Sequence, residues 1–316
     1  MSASHQIALV TRLSDEAEAE WLTLLRAALP AETIQSLRAM SQDDRADVDI
    51  AIVANPDPKD LSDLPNLVWV HSLWAGVERL VAELPGFTPP IVRLVDPQLA
   101  RNMSEAALAW TYYLFRDMPA YARHQSAREW VQEPYRSASS VTVGLLGLGE
   151  LGAASAARIQ AQDFNVIGWS RSPKSLPGID CLSGDDGLED LLSRSDIVIC
   201  LLPLTPQTRG LLNATTLGRM KTGAGLINFA RGPIVDTEAL IKALASGQVG
   251  HAVLDVFDQE PLPAESPLWD TPGITVLPHI SGPTDPETGA QVVAGNIIRF
   301  RQTGELPESV NLTRGY

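Results

Sequence analysis

Residues 141–152 read V-T-V-G-L-L-G-L-G-E-L-G and run straight into A-A-S-A-A-R-I-Q-A. An apolar run of strand formers ends in Gly147, Gly149 and Gly152 and passes into a helical pattern, which predicts a buried parallel strand turning directly into a helix. At such a corner the first glycine permits the tight turn. The second lets a pyrophosphate approach the backbone, and the third lets the helix pack against the strand. The helix start, at Glu150 and Leu151, offers free N–H groups and the positive end of its dipole to phosphates. Glycine-rich turns without ligands are common, so the spacing alone is weak. With the strand before it and the helix after it both legible, dinucleotide binding is the expectation, through Gly147, Gly149, Glu150, Leu151 and Gly152.

A chain of 316 residues exceeds the usual size of one domain. Strand patterns at 6–10, 49–53, 67–70 and 91–95 precede a long, mostly apolar helix pattern over 96–118. That helix is expected to be buried between domains or against another subunit. Beyond the glycine turn, strands at 165–169, 196–201, 225–228, 252–256 and 274–277 alternate with helical stretches at 188–193, 215–220 and 237–246. Such alternation predicts an α/β protein with two doubly wound parallel sheets, the second six-stranded. A last helix over 287–303 is expected to return to the first domain. The expected division is a flavodoxin-like substrate domain over 1–95 and 285–316, a Rossmann-type dinucleotide domain over 96–284, and a cleft between them.

A formal net charge of −14 disfavours nucleic acid or an anionic membrane as partner. No apolar run reaches the ~18 residues that a membrane helix needs. The N-terminal M-S-A-S-H-Q-I-A-L-V carries no secretion pattern, so a cytoplasmic protein is expected. The two cysteines, Cys181 and Cys200, make no metal framework and read as buried thiols.

The strand after the glycine turn ends in Ser170-Arg171-Ser172, with Lys174 just beyond, where dinucleotide folds that bind the free ribose hydroxyls carry Asp or Glu. An arginine between two hydroxyls suits a 2′-phosphate by charge and by bidentate bonding, which favours NADP(H) with NAD(H) possible. Leu202-Pro203 and Thr208 close the next strand on the cofactor side. Three further strand ends carry Ala230-Arg231, Asp255 with Glu260, and His279. Ligands bind outside the carboxyl ends of strands in open α/β sheets, so these groups should converge on one rim. In the first domain, Trp74-Ala75-Gly76 follows a strand with small residues whose N–H groups suit a carboxylate, though a bare tight turn reads equally well.

The set resembles the D-isomer-specific 2-hydroxyacid dehydrogenase family. The resemblance rests on G-L-G-E-L-G at 147–152, L-P-L-T-P-Q-T at 202–208, N-F-A-R-G-P-I-V-D at 228–236, L-D-V-F-D-Q-E-P-L-P at 254–263 and P-H-I at 278–280. W-S-R-S at 169–172 and Q-E-P-L-P-A-E-S-P-L-W at 259–269 are most similar to the glyoxylate/hydroxypyruvate reductase A branch. The resemblance implies that Arg231 binds and polarises a small 2-oxo acid, that His279 donates the proton and that Glu260 orients His279. It also implies that Asp255 touches the nicotinamide amide, that Trp74, Ala75 and Gly76 line the substrate with the Ala75 and Gly76 backbone on its carboxylate, and that the chain dimerises through its cofactor domain. Trp74, Ala54 and the 281–286 segment depart from the family pattern, all on the substrate side. The implied activity is NADPH-dependent reduction to the D-2-hydroxy acid. A dinucleotide-sensing interaction protein on the same fold and an NAD-dependent dehydrogenase are the alternatives.

Overall fold

The computed structural model describes residues 6–84 and 86–311; the first five residues of the N-terminal stretch read above lie outside that range. The chain divides into two compact units, Met1–Gln98 with Thr284–Tyr316, and Leu99–Pro283.

The first unit runs β1 (Gln6–Thr11), α1 (Asp15–Ala28), β2 (Thr33–Ser36), α2 (Gln42–Ala46), β3 (Val48–Ala54), α3 (Pro58–Ser62), β4 (Trp69–Ser72), α4 (Glu78–Glu83) and β5 (Ile91–Val92). The strands form one parallel sheet in the order β2-β1-β3-β4-β5, the flavodoxin-like arrangement. Its first edge strand, β2, was not legible in the sequence. Ser14 caps α1 by accepting the Ala17 N–H, and Asp15, Glu16 and Glu18 sit in the positive first turn. Trp21 and Leu25, four residues apart, give this helix its buried stripe. The polar Glu18 is buried too, and it is satisfied by hydroxyl donors from Thr11 and Ser36, which tie α1 to β1 and β2.

The second unit runs α5 (Pro97–Phe115), α6 (Met118–Ala127), β6 (Thr142–Leu146), α7 (Glu150–Gln160), β7 (Asn165–Ser170), β8 (Asp180–Ser183), α8 (Gly184–Arg194), β9 (Ile197–Cys200), α9 (Ala214–Leu217), β10 (Ala224–Asn228), α10 (Thr237–Ala245), β11 (Val249–Leu254) and β12 (Ile274–Val276). All its strands are parallel, in the order β12-β11-β10-β9-β6-β7-β8. Strand order reverses between β6 and β9, the switch point at which a Rossmann-type sheet opens a crevice. The sheet therefore has seven strands, not six, because β8 adds an edge. Cys181 lies on that strand and is only half-buried, whereas Cys200 is buried as expected.

The long helix expected over 96–118 is α5. It ends before Asp117, whose φ of +54° cannot continue a helix, and a further helix, α6, starts with Pro119 in its first turn. Much of α5 packs on its own sheet. A Cβ on Gly225 would lie 2.7 Å from Leu114, and Tyr112 and Phe115 stack edge-on against Phe164.

The last helix, α11 (Pro286–Thr303), belongs to the first unit and packs against α1. Gly289 lets the two helices close up, since a Cβ there would stand 3.0 Å from the Trp21 ring. Ala290, Val293, Ala294 and Ile297 fill the seam. Arg301 then forks onto two carboxylates of the same unit: Nε and Nη2 reach Glu32 at 2.9 and 3.0 Å, while Nη1 and Nη2 hold Asp49. All three side chains are largely buried, so removing the cation strands two negative charges. Arg301→Ala is expected to cost about 3–5 kcal/mol of stability; a urea-unfolding midpoint equal to wild type would show that the cluster contributes nothing.

Candidate active site

The glycine turn is shaped by contacts that leave no room for side chains. Gly147 adopts φ +104°, and a Cβ there would lie 2.8 Å from the Leu201 carbonyl oxygen. At Gly152 a Cβ would fall 1.8 Å from the Gly147 oxygen, so α7 lies directly against the turn. Gly149 differs: it is the N-cap of α7, makes no side-chain cap, and a Cβ built on it meets nothing within 4 Å. The space in front of the helix N-terminus is open, and the N–H groups of Glu150, Leu151 and Gly152 belong to its first turn. The residues fit a dinucleotide phosphate.

The neighbouring loop brings positive charge to the same turn. Lys174 reaches back from beyond β7 and donates to the Leu148 carbonyl at 2.8 Å, inside the G-L-G segment. Arg171 and Ser172 are exposed beside it. Ser170 is buried, and its hydroxyl donates to the Ser172 carbonyl at 2.8 Å, so it shapes the loop that carries Arg171. Trp169 anchors that strand end through its indole N–H on the Gly184 carbonyl. After β9, Leu202 is buried, and the Thr208 hydroxyl closes a compact turn on the Pro203 carbonyl at 2.7 Å.

Three strand ends then build the chemical centre within the second unit. Asn228, at the end of β10, accepts the Ala230 N–H with its side-chain oxygen and donates from its amide nitrogen to the Arg231 carbonyl, fixing the turn that presents Arg231. Gly232 follows, where a Cβ would lie 2.0 Å from the Phe257 carbonyl carbon; the chain after β11 crosses that close. Glu260 uses one carboxylate oxygen to accept the Phe257 N–H at 2.9 Å and the other to meet His279 Nδ1 at 2.7 Å. An ionised carboxylate only accepts, so Nδ1 carries a proton and Nε2 is the exchangeable position. His279 holds a left-handed backbone, φ +54°.

The electrostatics of the three groups are mutual. The hydrogen bond to Glu260 raises the His279 pKa above its ordinary value, against burial and the nearby Arg231 cation, which both lower it; the Glu260 and Asp255 charges add to the rise. For Glu260, burial alone would raise the carboxyl. The bonds from His279 and the Phe257 N–H, with the charges of His279 and Arg231, outweigh it, and its pKa is lowered. The structure thus brings Arg231, Glu260 and His279 onto one rim.

Asp255 and Trp74 each make contacts within their own unit. Asp255 is 2% exposed, and its carboxylate oxygens accept the Ile280 and Ser281 N–H groups at 2.8 and 2.9 Å. Beside it, the buried Ser281 hydroxyl has no partner among the described residues, a polar atom left for a ligand such as a carboxamide. In the first unit, Trp74 turns its indole edge-on against Trp21, 6.4 Å between centroids, and packs against that unit's own core. Its backbone N–H donates to the Ser72 hydroxyl. Trp74 and Gly76, with Asn55 and Arg79, border a cavity of only about 20 Å³, room for little more than a water. Sequence reasoning missed Asn228, whose signal was an amide side chain at a strand end, and the Phe257 N–H, which no side-chain pattern announces.

Residues 108–281 match the family model of the D-isomer specific 2-hydroxyacid dehydrogenase, NAD binding domain. Three solved structures are similar over the whole chain. A D-isomer specific 2-hydroxyacid dehydrogenase from Xanthobacter autotrophicus Py2, in complex with NADPH and MES, is 39% identical with a TM-score of 0.92, covering 99% of this chain and 100% of that one. The NADPH-dependent glyoxylate/hydroxypyruvate reductase SmGhrA from Sinorhizobium meliloti, with NADP and sulfate, is 32% identical with a TM-score of 0.90 and the same coverage. A family protein from Klebsiella pneumoniae 342 is 35% identical with a TM-score of 0.88, covering 99% of each chain. With the Arg–Glu–His rim and the glycine turn in place, the chain belongs to the D-isomer specific 2-hydroxyacid dehydrogenases, a family of oxidoreductases.

Proposed function

We propose that the protein reduces a small 2-oxo acid of the glyoxylate or hydroxypyruvate type to the D-2-hydroxy acid with NADPH. The observation that carries the reading is the His279 Nδ1–Glu260 bond beside Arg231. When bound, the reduced nicotinamide supplies a hydride to the 2-oxo carbon. His279 Nε2 gives its proton to the oxygen that becomes the hydroxyl, and Glu260 keeps that proton available near neutral pH. Arg231 pairs with the substrate anion and stabilises negative charge developing on the oxygen. The Ala75 and Gly76 backbone takes the substrate carboxylate, with Trp74 fixing that turn. Gly147, Gly149, Glu150, Leu151 and Gly152 hold the pyrophosphate, and Leu202, Pro203, Thr208 and Ala230 line the cofactor beside them.

NADPH preference is supported by Arg171, Ser172 and Lys174 at the end of β7 and by the NADPH and NADP of the similar structures. The cofactor unit is the dimerising one, a reading supported by Met118, Tyr121, Trp130, Val131 and Tyr135, all exposed on α6 and the segment after it, with Trp130 at 96%. The substrate reading is tested by assaying glyoxylate, hydroxypyruvate and bulkier 2-oxo acids with NADPH and with NADH; no turnover of the two small acids with NADPH would refute it.

Four outcomes are expected. Reductase turnover falls as pH rises through the raised His279 pKa, because the donor loses its proton there. Glu260→Gln removes the largest raising influence and should shift that fall to lower pH; a superimposable pH–rate profile would mean that His279 is not tuned by Glu260. Arg171→Asp should reverse the preference from NADPH toward NADH, read as the ratio of kcat/KM values. Sedimentation equilibrium should give twice the chain mass, with Trp130→Glu shifting the population to monomer.

A further inference from the structure

Asp255 makes a contact that a cofactor-binding carboxylate does not require. It follows directly on β11, is almost completely buried, and is locked in place by its own N–H on the Asn228 carbonyl at 3.1 Å. Both of its carboxylate oxygens are engaged by successive backbone donors, Oδ1 by Ile280 and Oδ2 by Ser281. Those donors immediately follow His279. Pairing between β11 and the chain after β12 ends where the Leu277 N–H meets the Leu254 carbonyl, and past that point no strand among the described residues pairs with the backbone.

His279 nevertheless holds φ +54°, a conformation that a residue with a Cβ adopts only when its surroundings impose it. The two bonds to Asp255 engage the backbone immediately after His279, and its ring meets Glu260 at 2.7 Å.

We propose that Asp255 is the positioning residue for His279: its carboxylate clamps the Ile280 and Ser281 N–H groups and so holds the imidazole in the left-handed turn that faces Glu260. The role rests on the reading of His279 as proton donor, and it is additional to any contact Asp255 makes with a nicotinamide. The charged groups around the ring are Glu260, Arg231 and Asp255 itself, so the clamp also keeps a buried negative charge next to an imidazolium.

Two measurements test it. In the unmodified protein, the Ile280 and Ser281 amides should be protected in hydrogen exchange although Ile280 is 56% exposed and lies outside any strand. Exchange as fast as that of the exposed 129–137 loop would overturn the clamp without any variant. In Asp255→Asn, one N–H faces an amide donor in place of a carboxylate oxygen. The His279 ring should then titrate at lower pH by NMR, with kcat reduced about a hundredfold by misplacement. Loss of NADPH affinity with His279 titrating as in wild type would assign Asp255 to the cofactor alone and reject the proposal. The NMR and exchange readouts need no turnover, so a wild-type protein inactive on 2-oxo acids would sink the functional reading while leaving the clamp standing or falling on its own data.

Discussion

Parallel pairing in the second unit is the constraint from which the rest of the site follows. When every strand runs the same way, every carboxyl end opens on the same edge, and residues far apart along the chain become neighbours without any long-range design of their own. Arg231, Glu260 and His279 belong to turns after β10, β11 and β12, three parallel strands paired side by side. Close packing then holds these turns in place. Gly232 lets the chain after β11 cross at contact distance, and the Phe257 N–H fixes the oxygen of Glu260 that does not face the histidine.

The charges on this rim oppose one another in a useful way. An arginine suited to holding an anion would by itself depress a neighbouring imidazole, and burial acts in the same direction. Glu260 reverses that balance through a short bond, and Asp255 adds to it. The same bond, with the Phe257 N–H, keeps Glu260 ionised although partial burial opposes it. One hydrogen bond therefore sets two protonation states at once, and both are the states a proton donor and its carboxylate partner need.

Legibility in the sequence tracked how much of a signal was local. The glycine turn, the central strands and α10 were readable because buried parallel strands are apolar throughout and the turns between them demand small or capping residues. The edge strands were not. β2 reads T-I-Q-S and β8 reads D-C-L-S, each four residues with mixed burial, and they are strands because the neighbours β1 and β7 offer open edges to pair with. The helix expected over 96–118 is α5; what went unread is α6 after it, a mostly polar and exposed helix that starts afresh past the left-handed Asp117.

By itself the sequence determined the class of fold, the corner at Gly147–Gly149–Gly152 and which polar side chains stand at the strand ends, since these depend on residue type and spacing over a few positions. Tertiary structure decided what each of those side chains touches. Ser170 shapes a loop, Lys174 reaches the Leu148 carbonyl, Trp74 packs against Trp21, and Asp255 holds the backbone beyond His279. No local pattern encodes such contacts, because a hydrogen bond between residues 255 and 280 exists only after β11 and β12 have paired and carried both ends to the same edge.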